Sequence, residues 1–291
     1  MVNRYAFFPG CFVPVRLPHI EYVTRKVISQ IGVELIDVKG FTCCPEPIGF
    51  GLHDKLTWLT IAARNISLAE EQGMDIMTIC NGCYYTLKHT LEELKDKELN
   101  ASVNETLAEI GREFKVTSKV KHFVQVLIED VGVDEIKRHV KFPLEGLNVA
   151  AHTGCHFSNQ YGLDASVLDR LISTLGATNI EYAEKNLCCG WMLAGYGQSD
   201  AAYEWIRDRI NSVKSSKGDC MAVICPQCLH QFDTGQMTAA RKVDIPFKVP
   251  VLFYLQLLGL AMGYSLEEMQ YPSHRIREVD FENKIKEIEK G

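Results

Sequence analysis

The sequence predicts an α/β protein made of two duplicated lobes, each with short parallel strands and flanking helices. Three observations support this fold class. Ten of the eleven cysteines form two sets with nearly the same spacing. Short apolar runs, typical of buried strands, precede the cysteines of both sets. Between those runs lie stretches whose apolar residues recur at helical spacing.

Each cysteine set contains a single cysteine, a Cys-Cys pair and a Cys-x-x-Cys pair. The single cysteine is followed by 31 residues in the first set and 32 in the second, and 35 residues separate the two pairs in both. Cys220 belongs to neither set. The two sets are Cys11, Cys43, Cys44, Cys80 and Cys83, and then Cys155, Cys188, Cys189, Cys225 and Cys228.

The strands are predicted directly before these cysteines. Glycine precedes the single cysteine in both sets, at Gly10 and Gly154, each after an apolar run. Because ligands bind beyond the carboxyl ends of parallel strands, cysteines at these positions form a site. The predicted strands cover residues 5–8, 31–36 and 76–79 in the first half and 147–151, 175–180 and 221–224 in the second.

Helices are predicted between the strands. Leu59, Ala62, Ile66 and Ala69 recur at helical spacing in the first half, and 202–213 shows the same pattern in the second. Each half therefore alternates strand and helix three times. We expect a pseudo-twofold axis between the halves, with a metal cluster at the strand ends of each. The predicted domains are residues 1–143 and 144–291, the second ending in a helix and a charged tail.

Composition narrows the classes of partner. The formal charge is −6 and the pI is about 5.9, which argues against a nucleic-acid-binding protein. No apolar run approaches the roughly 18 residues that span a bilayer. The first ten residues do not have the pattern of a signal peptide. These features predict a soluble, cytoplasmic protein with no membrane span.

Five thiolates in each half favour an iron–sulfur cluster. A structural zinc ion takes four ligands in a tetrahedron, whereas each half offers five cysteines, two of them adjacent in sequence. Adjacent side chains on extended backbone point to opposite sides, so such a pair suits a larger object than one ion. A zinc-bound structural scaffold is the alternative, and the preference for iron–sulfur over zinc is slightly weaker for the first set than for the second.

The doubled pattern resembles the cysteine-rich CCG-domain proteins, and within them the B subunits of heterodisulfide reductase from methanogenic archaea. The resemblance covers nearly the whole chain, although Pro45 stands in the first copy where the motif has glycine. The stretches that carry it, besides the Cys-Cys pairs, are residues 6–11, 62–66, 80–83 and 149–157.

This resemblance implies two noncubane [4Fe–4S] clusters, each held by the five cysteines of one set. It implies reduction of the disulfide between coenzyme M and coenzyme B to two thiols, within an electron-bifurcating complex of methanogenesis. The implied partners are the ferredoxin-like C and flavin-containing A subunits of heterodisulfide reductase, with a hydrogenase or formate dehydrogenase in the larger complex. The alternative is a related protein of such complexes that acts on another thiol or disulfide, or that only relays electrons.

Histidines near the second cysteine set are candidates for supplying protons. His152 and His156 flank Cys155, and His230 lies two residues after Cys228. Because histidine titrates near neutral pH, we predict catalytic roles for His152 and His156 and a weaker case for His230. The alternative is that they orient cysteine ligands or donate hydrogen bonds to cluster sulfurs.

Overall fold

The computed structural model describes residues 3–158, 164–246 and 248–290, which form two compact units. The first unit comprises residues 1–16 and 28–131, and the second comprises residues 17–27 and 132–291. The units thus interleave along the sequence near residue 17. The domain boundary between residues 143 and 144, which marks where the first sequence repeat ends, stays a prediction.

The first unit contains a four-stranded parallel sheet with the order β2-β1-β3-β4. Its central strands are apolar on both faces because helices cover a parallel sheet on both sides. Tyr5 to Phe8 and all of the third strand are buried. The strands are β1 (Asn3–Phe8), β2 (Val33–Asp37), β3 (Ile76–Thr78) and β4 (Val120–His122).

Helices connect these strands, and polar caps fix where two of them begin. Asp54 accepts a hydrogen bond from the Thr57 amide at 3.0 Å, and Asp96 accepts from the Leu99 amide at 2.9 Å. The helices up to residue 131 are α1 (Phe12–Arg16), α2 (Pro18–Gln30), α3 (Gly49–His53), α4 (Lys55–Glu70), α5 (Asn81–Glu93), α6 (Lys97–Ala108) and α7 (Phe123–Gln125), which continues as a π-helical turn (Val126–Val131).

The second unit repeats this sheet with the order β6-β5-β7-β8, again parallel throughout. The strands are β5 (Asn148–His152), β6 (Thr178–Ile180), β7 (Cys220–Val223) and β8 (Val251–Phe253). The helices are α8 (Val133–His139), α9 (Cys155–Ser158), α10 (Val167–Thr174), α11 (Trp191–Gly195), α12 (Ser199–Ser215), α13 (Pro226–Ala239), α14 (Tyr254–Ala261) and α15 (Val279–Ile288), with a 3₁₀ turn at Tyr271–Ser273.

The register of the two sheets confirms the duplication. Ala6 pairs with Ile76 in the first sheet, and Ala150 pairs with Met221 in the second. The fold class is therefore as predicted, α/β with two copies of one parallel sheet. The prediction of three strands in each half is wrong, because each sheet has a fourth strand, β4 or β8.

Residues 17–27, which are Leu17 and most of α2, form part of the second unit. Ile20 and Val23 are fully buried, and the His19 and His274 rings meet edge to face with centroids 5.6 Å apart. The Lys26 ammonium lies 2.9 Å from the Glu268 carboxylate and 4.4 Å from the centroid of the Tyr264 ring. This segment thus completes the packing of residues that follow it by more than 200 positions.

The charged tail contains the helix α15. Phe281 and Ile285 on this helix are buried, and the Phe281 ring lies 5.3 Å from that of Tyr271. One face of the tail therefore packs against the second unit. In the described part of the chain, no helix is both long enough and apolar enough to cross a membrane.

Candidate metal centres

The first cysteine set lies beyond the carboxyl ends of β1, β2 and β3. Cys80 is the N-cap residue of α5, and Cys83 lies in the first turn of that helix. The N-terminus of a helix carries positive potential, which favours the thiolate form of cysteines there. The loop after β1 is tightly constrained, since Gly10 has a φ of +73° and a Cβ at this position would lie 2.7 Å from the Cys83 sulfur.

The sulfur atoms of the first set follow one another in a string. The Cys11 and Cys43 sulfurs are 3.8 Å apart, and those of Cys44 and Cys83 are 3.2 Å apart. Cys43 also contacts Cys44, and Cys83 contacts Cys80. The order along the string is therefore Cys11, Cys43, Cys44, Cys83 and Cys80.

The second set forms the same string in the same order. Gly190 adopts the left-handed conformation, with φ of 83°, and its amide donates to the Cys188 sulfur at 3.4 Å. Cys225 is the N-cap residue of α13, as Cys80 is for α5. The string runs Cys155, Cys188, Cys189, Cys228 and Cys225.

The two strings differ in exposure to solvent. Cys11 and Cys43 are exposed, whereas their counterparts Cys155 and Cys188 are half-buried. The remaining members of both sets are buried, namely Cys44, Cys80, Cys83, Cys189, Cys225 and Cys228. Cys220 lies in β7, where burial raises the pKa of its thiol, and it takes no part in either string.

Contacts among the thiols favour one thiolate in each set. Hydrogen bonds with Cys43 and Cys83 lower the pKa of the Cys44 thiol to about 5. Hydrogen bonds with Cys155 and Cys189 hold the pKa of the Cys188 thiol well below its usual range. Since the thiolate is the metal-binding form of cysteine, Cys44 and Cys188 are the first candidates in each set for binding a metal.

The candidate histidines lie in different environments. His152 ends β5 and is fully buried, and burial lowers its pKa to about 4, so its ring is neutral at pH 7. Its Nδ1 lies 3.4 Å from the Tyr182 hydroxyl, which donates to the Ala151 carbonyl at 3.1 Å. His156 is half-buried in α9, next to Cys155. The His230 ring lies 5.1 Å from that of Trp191.

Two residues that the sequence did not single out hold the Cys-Cys pairs in place. The Asn65 amide nitrogen donates to the Cys43 carbonyl at 3.0 Å, and the Arg209 guanidinium donates to the Cys188 carbonyl at 2.6 Å. Both side chains are buried. His122, which ends β4 and is fully buried, is a further residue that the sequence did not single out. The cysteine spacing gives no signal for these three.

Buried polar atoms beside the second cysteine set lack partners within the described ranges, which fits a bound cofactor at this site. Among the described residues, the Nε2 atom of His152 and the Nε atom of Arg209 are buried without a hydrogen-bond partner. Within the same ranges, no three His, Cys, Asp or Glu side chains converge as the ligands of one metal ion do. A thiolate string with nearby polar donors suits a cluster of several irons.

Comparison with known proteins places these features in a family. The model of the cysteine-rich CCG domain matches residues 5–88 and 149–233, so that each match holds one complete cysteine set. The chain is 38% identical to the B subunit of the ferredoxin/F420H2-dependent CoB-CoM heterodisulfide reductase of Methanosarcina acetivorans, over 99% of both chains.

A relative with a different name is also similar. The chain is 30% identical to the 8-methylmenaquinol:fumarate reductase membrane anchor subunit of Wolinella succinogenes, over 92% of this chain and 95% of the relative. Among solved structures, a hypothetical protein from Helicobacter pylori has a TM-score of 0.77 at 14% identity. That match covers 96% of this chain and 53% of the other, and it supports the fold. The chain, which carries the domain twice, therefore belongs to the cysteine-rich CCG-domain family, among the heterodisulfide reductase B subunits.

Proposed function

We propose that this chain is a catalytic subunit that reduces the disulfide between coenzyme M and coenzyme B to two thiols. In this proposal each cysteine set holds one noncubane [4Fe–4S] cluster through its five thiolates. The observation that carries the proposal is the string of five sulfurs, which occurs twice in the same order. The name of the Methanosarcina relative, which covers the whole chain, supports the choice of substrate.

Two clusters suit a reaction that needs two electrons. Opening a disulfide consumes two electrons and two protons and yields two thiols. When bound, each cluster would supply one-electron chemistry and iron sites able to hold a sulfur. The protein supplies the thiolate frame, the helix N-termini behind Cys80 and Cys225, and the buried donors around the second set.

His152 and His156 have different parts in this proposal. His156 is half-buried beside Cys155, so solvent can replace a proton that it delivers to a product thiolate. His152 is fully buried and neutral, which suits a hydrogen bond to the cluster or to bound substrate. His156→Asn should lower turnover and leave the iron content unchanged. Loss of iron in this variant would instead indicate that His156 orients the ligands.

Electrons reach the chain from partners in this proposal. By family resemblance these are the ferredoxin-like C and flavin-containing A subunits, in an electron-bifurcating complex with a hydrogenase or formate dehydrogenase. The relative from Methanosarcina acetivorans is named as dependent on ferredoxin and F420H2, which fits a low-potential electron donor.

The test combines metal analysis with an assay on protein purified without oxygen. We expect about eight irons and matching labile sulfide per chain, and reduction of the CoM–CoB disulfide with a chemical electron donor. Cys220→Ala is the matched control, since Cys220 is buried outside both sets. Zinc in both sets, or no iron at all, would refute the metal assignment.

A second function is favoured by the relative from Wolinella succinogenes, whose name assigns it to a fumarate reductase. In that case the two clusters relay electrons without acting on a disulfide. The same preparation separates the two functions. Full iron content, with clusters that respond to a reductant but not to any thiol or disulfide, would favour the relay.

A further inference from the structure

Arg209 carries a buried positive charge next to the second cysteine set. Its side chain is 2% exposed and lies on α12. The guanidinium donates to the Cys188 carbonyl at 2.6 Å and to the Trp205 carbonyl at 2.8 Å, and it lies 5.3 Å from the centroid of the Trp205 ring. A buried cation is costly unless an anion compensates for it.

No carboxylate compensates Arg209 among the described side chains. The acids Asp169 and Glu184 act electrostatically on the Tyr182 hydroxyl, as Arg209 does, but neither forms an ion pair with Arg209 in the described part of the chain. Asp169 is paired with Lys185 at 2.7 Å, and Lys185 is also paired with Glu181.

Groups of the cysteine site share an electrostatic environment with Arg209 as well. His152 is one such group: burial is the main cause of its lowered pKa, the Arg209 charge adds to it, and Cys188 and Cys225 oppose it.

The guanidinium also has one N–H group without an acceptor among the described residues. Its Nε atom is buried and has no hydrogen-bond partner in the described part of the chain. A buried N–H normally finds an acceptor. A negatively charged thiolate-bound cluster beside Cys188 would supply both the acceptor and the missing anion.

The first unit has a neutral side chain at the matching place. Asn65 donates to the Cys43 carbonyl at 3.0 Å, as Arg209 does to the Cys188 carbonyl. The buried positions of the two helices agree in this register, with Ala62, Ile66 and Ala69 of α4 corresponding to Ile206, Ile210 and Val213 of α12.

Counting residues from the cysteines gives a different match, Arg209 with Arg64. Arg64 is only half-buried, and its guanidinium bonds the Gly40 carbonyl and, at 3.4 Å, the Asn65 oxygen. Water screens a charge in contact with solvent far more than a buried one. Lys185 is also buried in the second unit, but two carboxylates pair with it. Among the described residues, the second set therefore differs from the first by one buried positive charge without an ion-pair partner.

We propose that Arg209 is the counter-charge of the cluster held by the second cysteine set and makes that cluster the easier of the two to reduce. This inference rests on the proposed function, in that both sets hold iron–sulfur clusters. One electron from a low-potential iron–sulfur donor turns one ferric iron ferrous and adds one negative charge to the cluster. A buried cation stabilises the more negative state and so raises the reduction potential. Arg209 is a positioning and tuning residue, not a catalytic one.

The test is a redox titration of the full-length, cluster-loaded protein, followed by electron paramagnetic resonance and paired with iron analysis. Arg209→Gln removes the charge, and Arg209→Lys keeps it. Arg64→Gln is the matched control, since it removes the half-buried arginine of the first unit. We expect Arg209→Gln to lower one midpoint potential and to leave the other unchanged. Arg209→Lys should stay near the wild-type values, and Arg64→Gln should change neither potential by a comparable amount.

Unchanged potentials in an iron-loaded Arg209→Gln protein would overturn the inference. So would an Arg209→Lys protein with the same shift as Arg209→Gln. If the Arg209→Gln protein binds less iron, the inference is tested instead by asking which cluster of the wild-type protein has the lower midpoint potential. A Cys228→Ala variant retains the cluster of the first set, whose potential must be the lower of the two wild-type values. Wild-type protein without iron would show a failure of the proposed function itself, which separates the two outcomes.

Discussion

The two cysteine sets share one frame and differ in what surrounds it. Both units have the same strand order and the same order of sulfurs, and in both a helix follows an N-cap cysteine, Cys80 or Cys225. Two cysteines of the first set, Cys11 and Cys43, are exposed, whereas their counterparts in the second set are half-buried. Duplication has thus preserved the cysteines and their order, while their shielding from solvent has diverged.

The strand ends next to the sulfurs have also diverged. The sheet registers match Phe8 with His152 and His122 with Phe253. Each sheet therefore carries one buried histidine and one buried phenylalanine at these two ends, with their places exchanged. Gln125 and Gln256 bond the amides of His122 and Phe253 at 3.0 and 2.8 Å, which confirms the match. The surroundings of the two cysteine sets are therefore not equivalent, although the cysteines and their order are.

The largest effect should come from removing one ligand of either set. Cys83→Ala and Cys188→Ala should each lose about half of the iron, because each removes a thiolate from one cluster only. Cys220→Ala should keep all of the iron and lose about 1 kcal/mol of stability through a small cavity. Iron and sulfide analysis of anaerobic protein measures this. Complete loss of iron from a single-set variant would show that the two sets load together.

A glycine substitution should affect the first set alone. Gly10→Ala places a Cβ 2.7 Å from the Cys83 sulfur, so the sulfur or the loop must move and the first cluster should be lost or depleted. Gly73→Ala is the control, since Gly73 also has a positive φ, of +63°, but has no atom within 4 Å of the added Cβ. The control should cost about 1 kcal/mol of stability and keep its iron. Equal iron contents in the two variants would contradict this interpretation of Gly10.

Acid should destabilise the second unit before the first. Burial lowers the pKa of His19 and His152 to about 4 and that of His274 to about 3, and all three belong to the second unit. Between pH 6.5 and about 4 the unfolded chain binds protons that the folded unit does not. Stability is therefore full above pH 6.5 and falls as the pH drops, by at most about 1.4 kcal/mol per pH unit for each histidine.

Hydrogen exchange of peptides from each unit, followed from pH 7 to pH 5, checks this expectation. Faster opening should appear within residues 132–291 and 17–27. His274→Gln should flatten the pH dependence, because it removes the histidine with the lowest pKa. Equal acceleration in both units would count against buried histidines as the cause.

The smallest effect is expected from exchanging one strand-end residue. His152→Phe gives the second set the residue that the first carries at Phe8. We expect full iron content and a severalfold change in turnover, because one buried polar contact is lost and the ligands stay in place. Steady-state kinetics with iron analysis measures it. Turnover equal to that of the wild type would show that His152 takes no part in the reaction.

The sequence pattern predicted the parts of the molecule that depend on regular spacing. Intervals between cysteines located the two repeats, and apolar runs located β1, β3, β5 and β7. The fourth strands escaped prediction for a physical reason. Val251–Phe253 is continuous with the apolar helix α14, and short apolar runs do not distinguish strand from helix by periodicity.

Arg209 shows a second limit of prediction from spacing along the sequence. Counting from the cysteines pairs it with Arg64, but α12 packs one residue out of that register, so Arg209 points inward where Arg64 does not. A shift of one residue in a helix turns a side chain by about 100°. Spacing along the chain cannot show such a rotation, and only packing reveals which arginine is buried.

The packing of residues 17–27 has a practical consequence for dividing this protein at its sequence repeat. A fragment that starts at residue 144 would lack Ile20 and Val23, so the apolar surface they cover would face water. The same cut removes the His19 ring from His274 and the Lys26 ammonium from Glu268. Expression of the second half in isolation therefore requires grafting this stretch of α2 back onto it, for instance by circular permutation.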